Sequence, residues 1–254
     1  MTVARSVSTL PGMGETGGTG ETGTRLTVLA RTQAAGPGLV RTLAAIPAGG
    51  RHTSTAQAGG ELWFVIEGAG RLDLEGAPGL ALAADRGLRI PGGSAYRLEC
   101  DRAGELRVDM VALPGPSRPA EWDAQPGAGV ADGPVSRDLR DCPAETTGDR
   151  TFRVLFGPGR GCAVATQFVG EIPPGRAPEH SHPYDEVVLI LEGSGIAHVG
   201  GTGRELTAGT CLHLPPGLRH CLENTGSRVM RVLGVFHPAD SPAVKLPQSA
   251  AGSG

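Results

Sequence analysis

Six of the seven histidines in this 254-residue chain lie between positions 180 and 237. Three of them combine with a glutamate into a pattern suited to holding a metal ion. His180-Ser-His182 places two imidazoles at i and i+2, and on a strand such residues point to the same face. Glu186 follows four residues after His182, at the head of an apolar run. His220 comes from a separate segment, just after Pro215-Pro-Gly-Leu-Arg. Neutral imidazoles with one carboxylate form a borderline donor set that suits Fe(II), Mn(II), Ni(II), Cu(II) or Zn(II). On an octahedral ion, four protein ligands leave two positions for water, substrate or dioxygen. Glu186, Tyr184 and His213 are the groups placed to move a proton near such an ion. Gln167 is a candidate polar group of the cavity. Arg219 reads first as a solvated turn charge and second as an anchor for a carboxylate. His198 and His237 read as ordinary histidines, and Cys211 and Cys221 as small core fillers.

The elements that must position these residues are short. Leu62–Ile66, Arg71–Leu74, Val187–Leu191, Cys211–Leu214 and Val229–Phe236 are apolar or β-branched and are bounded by Gly, Pro or Asn. With 41 glycines and 21 prolines falling mostly between such runs, the spacing predicts an all-β sandwich or barrel rather than βαβ units. Glu186–Leu191, apolar after its first residue, should be a strand buried on both faces. The chain is also an internal duplication. Glu61–Gly70 matches Glu186–Gly195 in pattern, Ile46-Pro-Ala-Gly49 matches Ile172-Pro-Pro-Gly175, and Ile90-Pro-Gly-Gly93 matches Leu214-Pro-Pro-Gly217, at offsets of 124 to 126 residues. The organisation that follows is a disordered leader at 1–24, a first copy at 25–118, a connector at 119–148, a second copy at 149–240 and a flexible tail at 241–254. The leader is expected to stay disordered because its Gly/Thr/Glu-rich run has almost nothing apolar to bury.

Composition excludes several functions. The net charge of −3, a pI near 6.2 and the lack of a basic stripe argue against nucleic acid. Five cysteines without a CxxC argue against a disulfide framework or zinc knuckle. Met1 to Thr24 has no apolar signal segment. No run approaches the ~20 apolar residues of a membrane span. The cytoplasm is therefore the expected location. Nor does the Gly-rich leader contain a phosphate-loop motif.

A family resemblance rests on the same residues. The pattern PG-x4-HxH-x3-E-x6-G runs from Pro174 to Gly193, and G-x5-P-x-G-x2-H-x3-N runs from Gly209 to Asn224. Both resemble the signature motifs of the cupin superfamily; the first is one residue shorter than the family spacing between Gly175 and His180. With the repeat, the whole chain is similar to a bicupin. The resemblance implies two tandem double-stranded β-helix barrels of the jelly-roll type. It also implies one divalent transition metal per chain, Fe(II) foremost, held by His180, His182, Glu186 and His220 inside the second barrel. The first copy departs from the pattern at the ligands. Thr55, Gln57 and Tyr96 stand where histidines are expected and only Glu61 survives, so that barrel is expected to be structural, a dimerisation half or a lid.

The fold does not fix the reaction. The first expectation is an Fe(II) dioxygenase acting on a small organic molecule. The second is a non-redox metal-dependent isomerase, decarboxylase, cyclase or lyase, and the third a binding or sensor module without turnover. A small-molecule substrate is the expected partner, with neither nucleic acid nor membrane. Barrels of this kind bury one sheet against another, either within the chain or in a homodimer.

Overall fold

A computed structural model of the chain describes residues 26–33, 38–75, 77–115 and 135–246. The first barrel has a large antiparallel sheet that runs, in order across it, β1 (Thr27–Gln33), β2 (Val40–Ile46), β9 (Leu106–Ala112), β4 (Glu61–Glu67), β7 (Arg86–Ile90) and β10 (Val135–Asp138). Its small sheet runs β3 (Arg51–Thr55), β8 (Ala95–Cys100), β5 (Ala69–Leu74) and β6 (Leu80–Ala83). The second barrel repeats this plan. Its large sheet runs β11 (Glu145–Thr147), β12 (Arg150–Phe156), β13 (Thr166–Ile172), β20 (Met230–His237), β15 (Asp185–Glu192) and β18 (Cys211–Leu214). Its small sheet runs β14 (Gly175–Arg176), β19 (His220–Asn224), β16 (Ser194–Val199) and β17 (Thr202–Thr207). Even the irregularities repeat. The β4–β9 ladder slips between Val65 and Glu67, and the β15–β20 ladder between Ile190 and Glu192.

The apolar central strands have two faces to bury. On β15, Val188 and Ile190 point into their own barrel beside Ile172, Leu222 and Val232. Val187 and Leu189 point the other way, into a core shared with Leu62, Phe64 and Val111 of the first barrel. The large sheets thus pack face to face within one chain, which is why the run at Glu186–Leu191 shows no polar alternation.

Two segments are more ordered than their composition suggests. From residue 135 the expected connector is built into both barrels: β10 extends the first large sheet at β7, and β11 extends the second at β12. Each covers a strand edge whose backbone groups would otherwise lack partners. The start of the expected tail is likewise tied down, since Leu246 N–H donates to Ser181 O at 2.8 Å. The leader at 1–24, the remaining connector residues 119–134 and residues 247–254 lie outside the described residues.

The shared core contains a buried ion pair. Arg41 and Asp109, both 0% exposed, meet at 2.9 Å, and Arg41 also donates to Leu233 O of the second barrel at 3.2 Å. Burial pushes the Asp109 carboxyl up while Arg41 opposes that shift. In the second copy Gln167 takes the place of Arg41, fully buried, with its amide donating to Trp63 O of the first barrel at 3.4 Å. Gln167 therefore joins the barrels instead of facing the cavity as expected; Phe168 and Gly170 take the cavity face of β13. Removing one member of a buried pair strands the other charge. Arg41→Met should lower unfolding stability by about 3–5 kcal/mol, and Arg41→Met/Asp109→Leu should recover most of it. Urea denaturation measures both; equal losses in the single and double variants would show that the pair is not coupled.

Candidate metal centre

His180 and His182 lie on the approach to β15, and His220 opens β19. Backbone bonds pin the first and last opposite each other: His180 N–H donates to His220 O at 3.0 Å, and His220 N–H donates to His180 O at 2.8 Å. The turn Pro215-Pro-Gly217 is fixed to His182, whose carbonyl accepts from Gly217 N–H at 2.8 Å. Gly217 holds a φ of +76° there, a conformation that favours glycine.

The three imidazoles converge. One ring nitrogen from each lies within 4.8 Å of one from each of the others, and the ring centroids stand 4.7 to 5.2 Å apart. Each Nδ1 faces a backbone carbonyl: Pro178 O at 3.2 Å from His180, Val244 O at 2.6 Å from His182 and Leu218 O at 2.9 Å from His220. A carbonyl only accepts, so each Nδ1 carries the proton and each Nε2 keeps a free lone pair. Burial keeps the rings neutral, taking His180 down to about 3 and His220 to about 4 and lowering His182 as well. Neutral imidazoles with preset tautomers fit a divalent transition ion well, since that ion needs the lone pair and not the proton.

Glu186 lines the same cavity and is buried. Its carboxyl group is not in the three-nitrogen cluster; burial pushes its pKa up to about 8. Tyr184 is also buried, stacked between His182 and Phe236 with ring centroids at 4.7 and 3.9 Å. Its hydroxyl lies 3.0 Å from His182 Nδ1, where it can share the proton that Val244 O accepts. The structure does not bring His213 to this group. It pairs across the ladder with Val187, on the strand face turned away from Leu212 and Leu214, and bonds Asp185 at 2.6 Å. His198 pairs with Glu223 at 2.6 Å and Arg219 with Glu179 at 3.7 Å. His237 Nδ1–H donates to Val164 O at 2.8 Å. Cys211 and Cys221 are buried, as expected of core fillers, and the Cys221 thiol donates to Ala177 O at 2.8 Å.

The cavity measures about 160 Å³, room for a small organic molecule rather than for a single water. Two cationic residues on its wall, Arg150 and Lys245, were not singled out by sequence reasoning. Arg150 begins β12 just after the expected connector, and Lys245 lies in the expected tail. The one available signal was that Lys245 is the only lysine of the chain.

The equivalent position of the first barrel carries bulky side chains. Trp63 stands where the second barrel has Val188 and is 0% exposed. Its indole N–H donates to Glu61 at 2.6 Å, and Glu61 also accepts from Gln57 N–H at 2.9 Å. Tyr96 packs edge-on to Trp63 at 4.9 Å, its hydroxyl pushed up to about 12 by burial and by Glu61. The carboxylate is thus bonded to protein donors and an aromatic pair occupies the interior.

Comparison with known proteins agrees with this picture. Residues 168–236 match the Cupin domain family. No curated protein matches the sequence. Among solved structures, the chain is similar to protein Ylba from E. coli (16% identity, TM-score 0.65, covering 84% of this chain and 81% of that one). It is also similar to a Pseudomonas aeruginosa protein named as glyoxylate-induced (16% identity, TM-score 0.67, 91% and 87% covered). A third is the oxalate decarboxylase of Bacillus subtilis, with its Mn(II) centres (14% identity, TM-score 0.64, 82% and 71% covered). At such identities the likeness shows the fold. The chain has two tandem barrels of the cupin fold, of which the second matches the cupin domain family over residues 168–236 and carries the histidine triad.

Proposed function

We propose that this protein is a metal-dependent enzyme acting on a small organic molecule in its second barrel. The observation that carries the reading is the convergence of three histidines, two buried and one half-buried, each with Nδ1 bonded to a carbonyl, on a cavity that also holds a buried acid. His180, His182 and His220 would hold the ion. A divalent ion so bound supplies Lewis-acid polarisation of a substrate oxygen. The chain's own residues do the rest. The apolar wall of Phe168, Ile172 and Val232 excludes water from the substrate. Tyr184 and Val244 O fix the ring of His182. Glu186, on the cavity wall and outside the nitrogen cluster, takes or gives the proton at its carboxyl oxygen. This role favours the non-redox reading, a decarboxylase, lyase or isomerase, and the likeness to a Mn(II) decarboxylase supports the same class. Fe(II) dioxygenase chemistry is the second reading, favoured because three histidine donors leave several positions of an ion open.

Three outcomes test this reading. Elemental analysis of protein purified without chelator should find about one transition metal per chain, retained in Glu61→Ala and lost in His180→Ala. Metal retained in His180→Ala would contradict the assignment. Glu186→Gln should keep the metal yet lower turnover by about 10²–10⁴-fold, the usual weight of a general acid–base group; a variant that loses metal in proportion to activity would make Glu186 a ligand instead. Turnover should continue under strict anaerobiosis, and a stoichiometric requirement for dioxygen would establish the second reading in place of the first.

A further inference from the structure

The cavity wall is asymmetric in charge. Lys245 lies on the strap Ser241–Leu246, which is fixed on both sides of it: Val244 O accepts from His182 Nδ1–H at 2.6 Å, and Leu246 N–H donates to Ser181 O at 2.8 Å. The backbone of Lys245 is therefore held beside the triad, and its side chain lines the cavity. No carboxylate pairs with it among the described residues. Arg150, at the hairpin between β11 and β12, is the second cation. One of its terminal nitrogens donates to Leu222 O at 2.7 Å, bracing β12 against β19, while its buried Nε has no hydrogen-bond partner. Its charge reaches His220. Asp149 and Glu171 also line the wall; the charge of Asp149 acts on Arg150, and Glu171 accepts from the Thr151 hydroxyl at 2.9 Å. The remaining wall is largely apolar, including Phe152, Phe168, Ile172, Val188, Leu214 and Val232.

We infer that the cavity takes a small carboxylate, with its anionic group received by Lys245 of the C-terminal strap and by Arg150 of the β11–β12 hairpin. The inference rests on the reading of this cavity as the substrate site. Two cations set against apolar walls, where charge is weakly screened, attract an anion more strongly than the same groups do in open water. The volume of about 160 Å³ suits a small organic acid. The strap thereby acts at both ends of the site: its Val244 carbonyl orients a metal-binding ring, and the next residue meets the substrate.

Because Lys245 is the only lysine, an amine-acetylating reagent can modify the chain only there and at the N-terminal amine. The rate at each is read separately by peptide mass spectrometry, with malonate as the probe and malonamide as its neutral counterpart. Malonate should slow acetylation of Lys245 saturably, malonamide should not, and the N-terminal amine should respond to neither. In Arg150→Gln the malonate concentration needed for protection should rise about tenfold, the loss of one charge-assisted hydrogen bond. Equal Lys245 rates in malonate and malonamide would overturn the inference. Protection needs no turnover, so the two readings fail separately. Protection in a protein without activity would sink the enzyme reading alone, and turnover of a neutral substrate without protection would sink this one alone.

Discussion

The site depends on where three histidine protons go. Each Nδ1–H is taken by a backbone carbonyl, and those carbonyls belong to three different pieces of chain: Pro178 before the triad, Leu218 in the turn before β19, and Val244 in the C-terminal strap. Each piece is held in turn by the fold. The His180–His220 bridge ties the approach to β15 against β19, Gly217 ties the turn to His182, and Leu246 ties the strap to Ser181. The result is three lone pairs aimed inward by main-chain geometry. Such ligands lose little freedom when an ion binds, which is how preorganisation raises affinity.

The duplication shows what this arrangement requires by displaying its absence. Both barrels keep the same order over five strands of the large sheet, the same bulge and a glutamate at the head of the central strand. In the first, Trp63 and Tyr96 fill the volume that the second leaves as a cavity beside Val188. Glu61 is then held by an indole and a backbone N–H, while Glu186 is left facing open space. The first barrel contributes elsewhere. Its large sheet covers the outer face of β15 through Leu62 and Phe64, with Arg41 and Gln167 as polar links across the contact. A strand carrying a buried acid is thereby kept rigid from behind.

Much of this was legible in the sequence because it is local. A pair of histidines two apart, a glutamate four further on, and a third histidine behind a Pro-Pro-Gly turn are patterns within a few dozen residues, and the repeat exposes the second barrel's plan. What was not legible falls into two physical kinds. The facing of a strand residue is uncertain by one position, so His213 and Gln167 were expected at the cavity and instead face outward, to Asp185 and to the other barrel. Long-range contacts leave no periodic trace. The stretch at 241–246 was expected to be a loose end, yet it supplies a carbonyl to His182 and an ammonium to the wall. The Pro/Asp/Gly-rich stretch before β12 likewise gives strands to both large sheets.

The measurement that bears most directly on this account is long-range ¹H–¹⁵N NMR of the histidine rings during titration with Zn(II). It should find His180, His182 and His220 neutral and protonated at Nδ1 before any metal is added. At one equivalent their three Nε2 signals should shift together while the ring of His52 in the first barrel stays unchanged. Protonation at Nε2 in the free protein, a shift at Nδ1 on binding, or a response from His52 in place of the triad would contradict it.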